Sequence, residues 1–179
     1  GTSGATIKYA TFDAANGNII YKEANSLEKY VFKNITFRNA GEYGMRIKDA
    51  DTVEVRNCRF YNNGWDGTEL NTVVPSATLG LLGYDSTQAD LQAFWAGTHT
   101  SNGGALRIER IRRPLLRENR AEGNLRGFRI EDCGINGGGF VIENQSINNI
   151  ESGIYLAAGS TYYGCQNITV TINYSAYNA

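Results

Sequence analysis

Three short segments of the chain alternate apolar and charged residues in the same way. They are Met45-Arg46-Ile47-Lys48, Leu106-Arg107-Ile108-Glu109 and Phe128-Arg129-Ile130-Glu131. Guanidinium groups bind carboxylate or sulfate groups through paired hydrogen bonds. Lysine can act as a base when its surroundings lower its pKa, and paired carboxyl groups can cleave glycosidic bonds. These residue types therefore predict a surface that binds or cleaves an anionic or polyhydroxylated chain.

Two reactions fit the charged residues if the three segments lie side by side. In a polysaccharide lyase, Arg46 and Arg107 would neutralise a uronate carboxylate, and Lys48 would take the adjacent ring proton. In a glycoside hydrolase, Glu109 and Glu131 would act as the two carboxyl groups. Neighbouring strands would place them near the roughly 5–5.5 Å separation that retaining hydrolases use.

The positions of these side chains depend on a weak internal repeat of short strands. Related segments recur at Ile19-Ile20-Tyr21-Lys22 and Ile154-Tyr155-Leu156-Ala157, with a spacing of roughly 22–26 residues between the later copies. The apolar residues alternate with period 2, which predicts strands rather than helices. Successive copies must stack to bury their apolar faces, so the repeat predicts a parallel β-solenoid.

Alternation also predicts which residues point outward. We expect Met45 and Ile47 to point inward, as do Leu106, Ile108, Phe128, Ile130, Ile154 and Leu156. Two outward columns follow. The first contains Ile20, Arg46, Arg107, Arg129 and Tyr155, and the second contains Lys22, Lys48, Glu109, Glu131 and Ala157.

Stacked arginines repel one another on adjacent strands, so the first column needs compensation. One interpretation is a solvated lattice of ion pairs formed with Glu109, Glu131, Asp49 and Asp132, each pair contributing about 0–1 kcal/mol. The other interpretation is a groove in which the arginines hold an acidic polysaccharide.

Asparagine recurs two residues after an apolar strand residue, at Asn39, Asn62 and Asn149. Stacked asparagines at a turn can hydrogen-bond from coil to coil and tolerate left-handed backbone. In this coil pattern and asparagine ladder, the chain resembles the right-handed parallel β-helix proteins of the pectate-lyase-like superfamily, over roughly residues 5–62 and 104–175. The resemblance implies an all-β, right-handed parallel β-helix of about six coils. It also implies basic residues on the active face, often with Ca²⁺.

The coil pattern stops between Gly64 and Gly104, which predicts an insertion over 64–103 in a single domain of residues 1–179. A short helix is expected near 86–96, where Asp85 and Gln88 fit the N-terminal cap and Gly97 the C-terminal stop. The insertion should flank the outward face that carries Arg46, Arg107 and Arg129. The candidate substrate contacts are Arg129, Tyr155, Trp65, Asp66 and His99.

Composition excludes several classes of partner and cofactor site. The net charge of −1 gives no general attraction to nucleic acid or anionic membranes, and no apolar run reaches the roughly 18 residues of a membrane helix. Asp49, Asp51 and Asp66 offer oxygen ligands for Ca²⁺, but their spacing matches neither an EF-hand nor an RTX-type loop. No metal ligands are therefore assigned, and Ca²⁺ is the one candidate cofactor.

Three cysteines, Cys58, Cys133 and Cys165, form no CxxC motif. Cys133 and Cys165 are expected at different points of their coils. The cysteines are interpreted either as small buried apolar residues or as one disulfide with a free thiol.

The sequence as a whole predicts recognition or processing of a polysaccharide outside the cell or at its surface. The alternative is a non-catalytic adhesin or a tailspike-like solenoid that acts as a spacer or binding module. Neither end shows an amphipathic capping helix. We therefore expect a segment of a longer chain or a homo-oligomer that covers the ends.

Overall fold

The computed structural model describes residues 4–15, 17–23, 27–64, 103–149, 151–158 and 164–176. These ranges contain strands and no helix. In chain order the strands are β1 (Gly4–Lys8), β2 (Thr11–Ala15), β3 (Ile20–Glu23), β4 (Lys29–Lys33), β5 (Thr36–Ala40), β6 (Tyr43–Lys48), β7 (Thr52–Arg56), β8 (Arg59–Tyr61), β9 (Gly104–Glu109), β10 (Arg113–Arg117), β11 (Arg120–Glu122), β12 (Arg126–Glu131), β13 (Gly139–Ile142), β14 (Gln145–Ile147), β15 (Ser152–Ala157), β16 (Ile168–Thr171) and β17 (Tyr174–Ala176).

Every third strand joins the same parallel sheet. Sheet A has the order β1-β4-β7-β10-β13-β16, sheet B contains β2, β5, β8, β11, β14 and β17, and sheet C contains β3, β6, β9, β12 and β15. Three successive strands therefore make one coil. The described chain forms five such coils, with two strands of a sixth. The predicted all-β parallel solenoid is confirmed. The helix expected near 86–96 falls outside the described residues.

The interior is a stack of apolar side chains that repeat from coil to coil. Phe12, Phe37 and Phe60 lie one above the other, with ring centroids 5.5 Å and 4.9 Å apart. Burial of one such side chain contributes about 1.5–3 kcal/mol. The predicted inward residues of β6, β9 and β12 are all buried, whereas Leu156 on the edge strand β15 is partly exposed.

Two asparagine ladders hold the corners beside sheet B. One runs through Asn63, Asn124 and Asn149, and each Nδ2 donates to the next Oδ1 at 2.9 Å. The other runs through Asn119, Asn144 and Asn173. These amides also bind the turn backbone, so the ladders satisfy polar groups that the coil buries.

The predicted ladder is correct at Asn149 and wrong at Asn39 and Asn62. Those two residues adopt left-handed backbone, with φ of 58° and 50°. The next position along the chain faces the interior, and there Asn63 joins the ladder and Ala40 donates its N–H to the Asn63 Oδ1. In the tandem Asn62-Asn63, Asn62 adopts the left-handed backbone of the turn, and Asn63 supplies the side-chain hydrogen bonds of the ladder.

The predicted outward columns are wrong in the first coil by one residue. Ile20 pairs with Met45, so the partner of Arg46 is Tyr21, and the partner of Lys48 is Glu23 rather than Lys22. A shift of one residue exchanges the two faces of a strand. Ile19 and Ile20 are both apolar and both pack against the core, so alternation alone did not fix the phase here.

The cysteines Cys133 and Cys165 occupy equivalent points of successive coils, contrary to the sequence prediction. The Cys133 carbonyl accepts a hydrogen bond from Gln166, just as the Ile111 carbonyl accepts one from Gly134. All three cysteines are free thiols, and burial raises the pKa of Cys58 to about 11. The thiols therefore act as small apolar residues of the coil interior.

The ends of the insertion meet beside sheet C. A Cβ on Gly103 would lie 2.4 Å from the Gly64 Cα, so neither glycine has room for a side chain. Gly64 donates its N–H to the Ala40 carbonyl, and Gly104 donates to the Glu42 carbonyl. The chain thus re-enters the coil at the place where it left.

Candidate functional site

The three arginines lie in register on the outer face of sheet C, as predicted. Tyr21 pairs with Arg46, Arg46 with Arg107, Arg107 with Arg129, and Arg129 with Tyr155. We call these five residues the arginine column. Four strand steps make it about 19 Å long. Only part of each guanidinium side chain reaches solvent, with exposed fractions of 20% for Arg46, 10% for Arg107 and 25% for Arg129.

Glu109 and Glu131 lie in the neighbouring outward column and neutralise the arginines. Arg46 donates to Glu109 from Nε and Nη2, both at 3.1 Å. Arg107 Nη2 lies 3.1 Å from Glu109 Oε1 and 2.8 Å from Glu131 Oε2. Arg129 donates to Glu131 at 2.5 Å. The face therefore carries a lattice of paired charges.

The other two predicted lattice members have different partners. Asp49 accepts two hydrogen bonds from Arg110, at 2.5 Å and 2.7 Å. Asp132 accepts a hydrogen bond from the Gly164 N–H at 3.1 Å. Both aspartates have left-handed backbone at the corner that follows sheet C. They therefore lie beyond the strand and organise this corner.

Glu131 is held in its charged form. Burial by itself raises the pKa of this carboxyl, but hydrogen bonds and charge from Arg129 and Arg107 outweigh it, so the pKa is lowered. For Arg129, burial acts to lower the pKa, but the bond to Glu131 prevails and the pKa is raised. A carboxyl with a lowered pKa is a poor proton donor at neutral pH.

Two buried polar atoms on this sheet have no hydrogen-bond partner among the described residues. They are Arg107 Nη1, at the centre of the arginine column, and the hydroxyl of Tyr43, at the start of β6. Tyr43 is close enough to Arg129 to influence its pKa. A buried donor without an acceptor costs about 1–3 kcal/mol. Arg107 Nη1 is therefore the donor that the two glutamate partners of Arg107 leave unused, whereas the Tyr43 side chain interacts with Arg129.

Tyrosine rings lie at both ends of the arginine column. Arg46 Cζ and Lys48 Nζ each lie 5.8 Å from the Tyr21 ring centroid, and Arg129 Cζ lies 5.6 Å from the Tyr155 centroid. Both rings are exposed. Cation–π contact holds each ring beside its arginine. Each ring can therefore offer a flat apolar surface to a ligand.

The structure thus brings together Lys48, Arg46, Arg107, Glu109, Glu131, Arg129 and Tyr155 of the predicted site. Their catalytic and binding roles stay predictions. Trp65, Asp66 and His99 lie outside the described residues. Sequence reasoning missed Tyr21, because of the phase error in the first coil, and Tyr43, because its alternation with Met45 gave it the pattern of an ordinary core residue.

Metal-binding groups are not assembled in the described part of the chain. Its cysteine, aspartate and glutamate residues form no group of three or more that could hold a metal ion. Asp49 is engaged by Arg110, and Asp51 by Arg112, Arg113 and Thr52. Burial raises the pKa of Asp51, but these partners outweigh it and the pKa is lowered. These carboxylates are therefore committed to cationic and hydroxyl partners, which fits a calcium site poorly.

The described ranges contain no helix that is long and apolar enough to cross a membrane.

Comparison with known proteins supports the fold assignment. A family model described as the right handed beta helix region matches residues 1–178. Neither the curated proteins nor the solved structures gave a significant match. A pectate-lyase-like relationship is consistent with the family match, which suggests a polysaccharide-related protein or a structural solenoid. With nearly its whole length matched and a parallel solenoid in three dimensions, the chain belongs to the right-handed β-helix family.

Proposed function

We propose that this β-helix binds an extended acidic polysaccharide along the arginine column of sheet C. The observation that carries the proposal is the register of Tyr21, Arg46, Arg107, Arg129 and Tyr155 on one face. Guanidinium groups suit carboxylate or sulfate substituents, and the terminal tyrosine rings suit the apolar faces of sugar rings. An elongated ligand matches a site that is one residue wide and five strands long.

The internal ion pairs support binding rather than oppose it. Glu109 and Glu131 hold the arginine side chains in place, so little side-chain entropy remains to be lost when a ligand arrives. Arg107 Nη1 keeps an unused donor at the centre of the column. Arg46 and Arg129, on either side of Arg107, are the more exposed guanidinium groups, so an acidic sugar meets them first.

We prefer a module that binds the polysaccharide without cleaving it. This preference is supported by the ion pairs of Glu109 and Glu131 with Arg107 and by the lowered pKa of Glu131. Arg107 Nη2 bonds one oxygen of each glutamate, so a guanidinium separates the two carboxyl groups. A hydrolase needs a sugar at that position and one carboxyl that donates a proton. The proposed setting is extracellular or at the cell surface.

A polysaccharide lyase is the second candidate, supported by the position of Lys48. This lysine lies one outward position beyond Arg46 on β6, and both side chains contact the Tyr21 ring. A uronate carboxylate held by Arg46 would bring its neighbouring ring proton towards Lys48. Removal of that proton and departure of the glycosidic oxygen would leave a double bond in one product.

The test combines retention and product analysis. The protein would be run through gels that contain polygalacturonate, alginate, hyaluronate or neutral dextran, with and without Ca²⁺. We expect retardation by at least one acidic polymer and not by dextran. Tyr155→Ala should weaken retention roughly 2- to 10-fold, as for the loss of one aromatic contact of about 0.5–1.5 kcal/mol. Tyr174→Ala removes a ring of similar exposure on sheet B and should not change retention.

The products decide between the candidate functions. Intact polymer after long incubation supports the binding module. Fragments one water lighter than hydrolysis products support the lyase and lead to Lys48→Ala, whereas hydrolysis products lead to Glu109→Gln and Glu131→Gln. Equal mobility in all gels, or retention that Tyr155→Ala leaves unchanged, would contradict binding on sheet C.

A further inference from the structure

A concave surface lies on the outer face of sheet A, which is a different side of the solenoid from sheet C. The cavity has a volume of about 340 Å³. Its lining includes Lys29, Arg113, Leu115, Phe140, Asn167 and Thr169. We call it the sheet A groove. Its volume is within the range of small-molecule sites, and its mixture of apolar and polar lining is typical of them.

A glycine run creates the groove. The pairing of Leu115 with Phe140 and of Phe140 with Thr169 places Gly138 in register between Arg113 and Asn167. Gly138 has a φ of 70°, which L residues rarely adopt, and so the column lacks a side chain at this point. A Cβ on neighbouring Gly137 would lie 2.4 Å from the Arg112 carbonyl oxygen, so the backbone here lies close against the chain that leads into β10.

An exposed aromatic ring forms the floor beside that gap. Phe140 is 51% exposed although its neighbours in the sheet are Leu115 and Thr169. The ring lines the concave site and gives it an apolar surface, as aromatic side chains do in small-molecule sites. The Asn167 amide and the Thr169 hydroxyl lie on one side of it and can both donate and accept hydrogen bonds.

Two cationic side chains, Lys29 and Arg113, line the groove, and Thr52 separates them in the register of sheet A. Asp51 pairs with Arg113. The groove therefore lacks the stack of cations that characterises the arginine column. An apolar ring bordered by hydroxyl and amide groups suits a ligand with one apolar face and a hydroxylated edge.

We propose that the sheet A groove binds one pyranose ring of a neutral glycan, with the ring face on Phe140 and hydroxyl groups bonded to Asn167 and Thr169. This site is separate from the arginine column and does not depend on the function proposed for it. The two sites together would let one solenoid hold two glycan segments on different faces.

Saturation-transfer NMR with maltohexaose and cellohexaose tests the groove on the whole chain. We expect transfer from protein aromatic protons to the sugar ring protons of at least one oligosaccharide. Phe140→Ala should weaken its affinity at least about 5-fold. Tyr155→Ala, on sheet C, and Tyr174→Ala, 55% exposed on sheet B, should each leave the affinity unchanged.

The two proposals fail in different ways. Absence of transfer from both oligosaccharides, or an affinity that Phe140→Ala does not change, would overturn the groove proposal. An equal loss in Tyr155→Ala would place the neutral sugar on sheet C and would also overturn it. Retention on acidic polymers tests the arginine column separately, and Phe140→Ala should not affect that retention. Thr169→Val, which keeps the shape of an exposed side chain, should reproduce part of the Phe140→Ala loss.

Discussion

Arg107 reaches across one coil step to Glu131, and both its Nη2, at 2.8 Å, and its Nε, at 3.1 Å, donate to the same carboxylate oxygen. Both side chains are nearly buried on the outer face of sheet C. This pair fixes the centre of the arginine column. It also links the third and fourth coils through side chains in addition to the backbone ladder.

Replacement of Glu131 should destabilise the fold. Glu131→Gln keeps the shape of the side chain but removes the charge that Arg107 and Arg129 share, so we expect a loss of about 1–3 kcal/mol in the free energy of unfolding. Urea titration followed by circular dichroism measures it. Glu118→Gln, which removes a more exposed carboxylate on a corner, is the control and should change the midpoint little. Equal effects of the two variants would mean that the lattice on sheet C adds no stability.

Stability should fall in acid, because two native carboxyls have lowered pKa values. The ordinary pKa is 4.5 for Glu131 and 3.8 for Asp51, and both values are lower in the folded chain. A group of this kind contributes its full stability above its unfolded pKa and loses it as the pH falls through the folded pKa. Thermal unfolding between about pH 7 and pH 3 should show a falling Tm below about pH 4.5. In Glu131→Gln this fall should be shallower, and an unchanged slope would contradict the assignment.

Removal of a central ladder amide should cost more than removal of a surface amide. Asn124 accepts from the Asn63 N–H at 3.0 Å and donates to the Phe60 carbonyl at 3.1 Å, and it also bonds both neighbouring asparagines. Asn124→Ala leaves several of these groups buried without partners, so we expect a loss of about 2–5 kcal/mol. Chemical unfolding checks this value. Gln145→Ala, at an exposed position of sheet B, should have little effect, and a comparable loss there would argue against the ladder.

A side chain at the base of the insertion should also destabilise the coil. A Cβ on Gly103 would meet the Gly64 Cα at 2.4 Å, whereas a Cβ on Gly17 would meet nothing within 4 Å. Gly103→Ala should therefore lower the free energy of unfolding by about 1–3 kcal/mol, the usual cost of overpacking. Gly17→Ala should leave it nearly unchanged. Similar unfolding curves for both variants would mean that the ends of the insertion can separate freely.

The register of Arg46, Arg107 and Arg129 could be predicted because each is flanked by apolar residues on both sides. A strand with one buried face admits only one phase for such a segment. The first coil lacks this contrast, since Ile19 and Ile20 are adjacent. Tyr21 could therefore be assigned to the site only from the register seen in the structure.

Features that depend on contacts between distant coils were not predictable from the chain alone. The sheet A groove arises where Gly138 aligns with Arg113 in the preceding coil and with Asn167 in the following coil. No local pattern marks that alignment. The equivalence of Cys133 and Cys165 was missed for a related reason, because the last coil is longer and its spacing differs from that of earlier coils.

Because Gly64 and Gly103 are in contact, the stacking register of the coils does not depend on the length of the segment between them. Because the chain leaves and returns at one point, the hydrogen bonds of Gly64 and Gly104 to the preceding coil continue as in an uninterrupted turn. A segment anchored in this way can be lengthened, shortened or exchanged while the strands above and below keep their register. The base of the insertion is thus a natural graft point, at which new recognition loops can be tried on an unchanged scaffold.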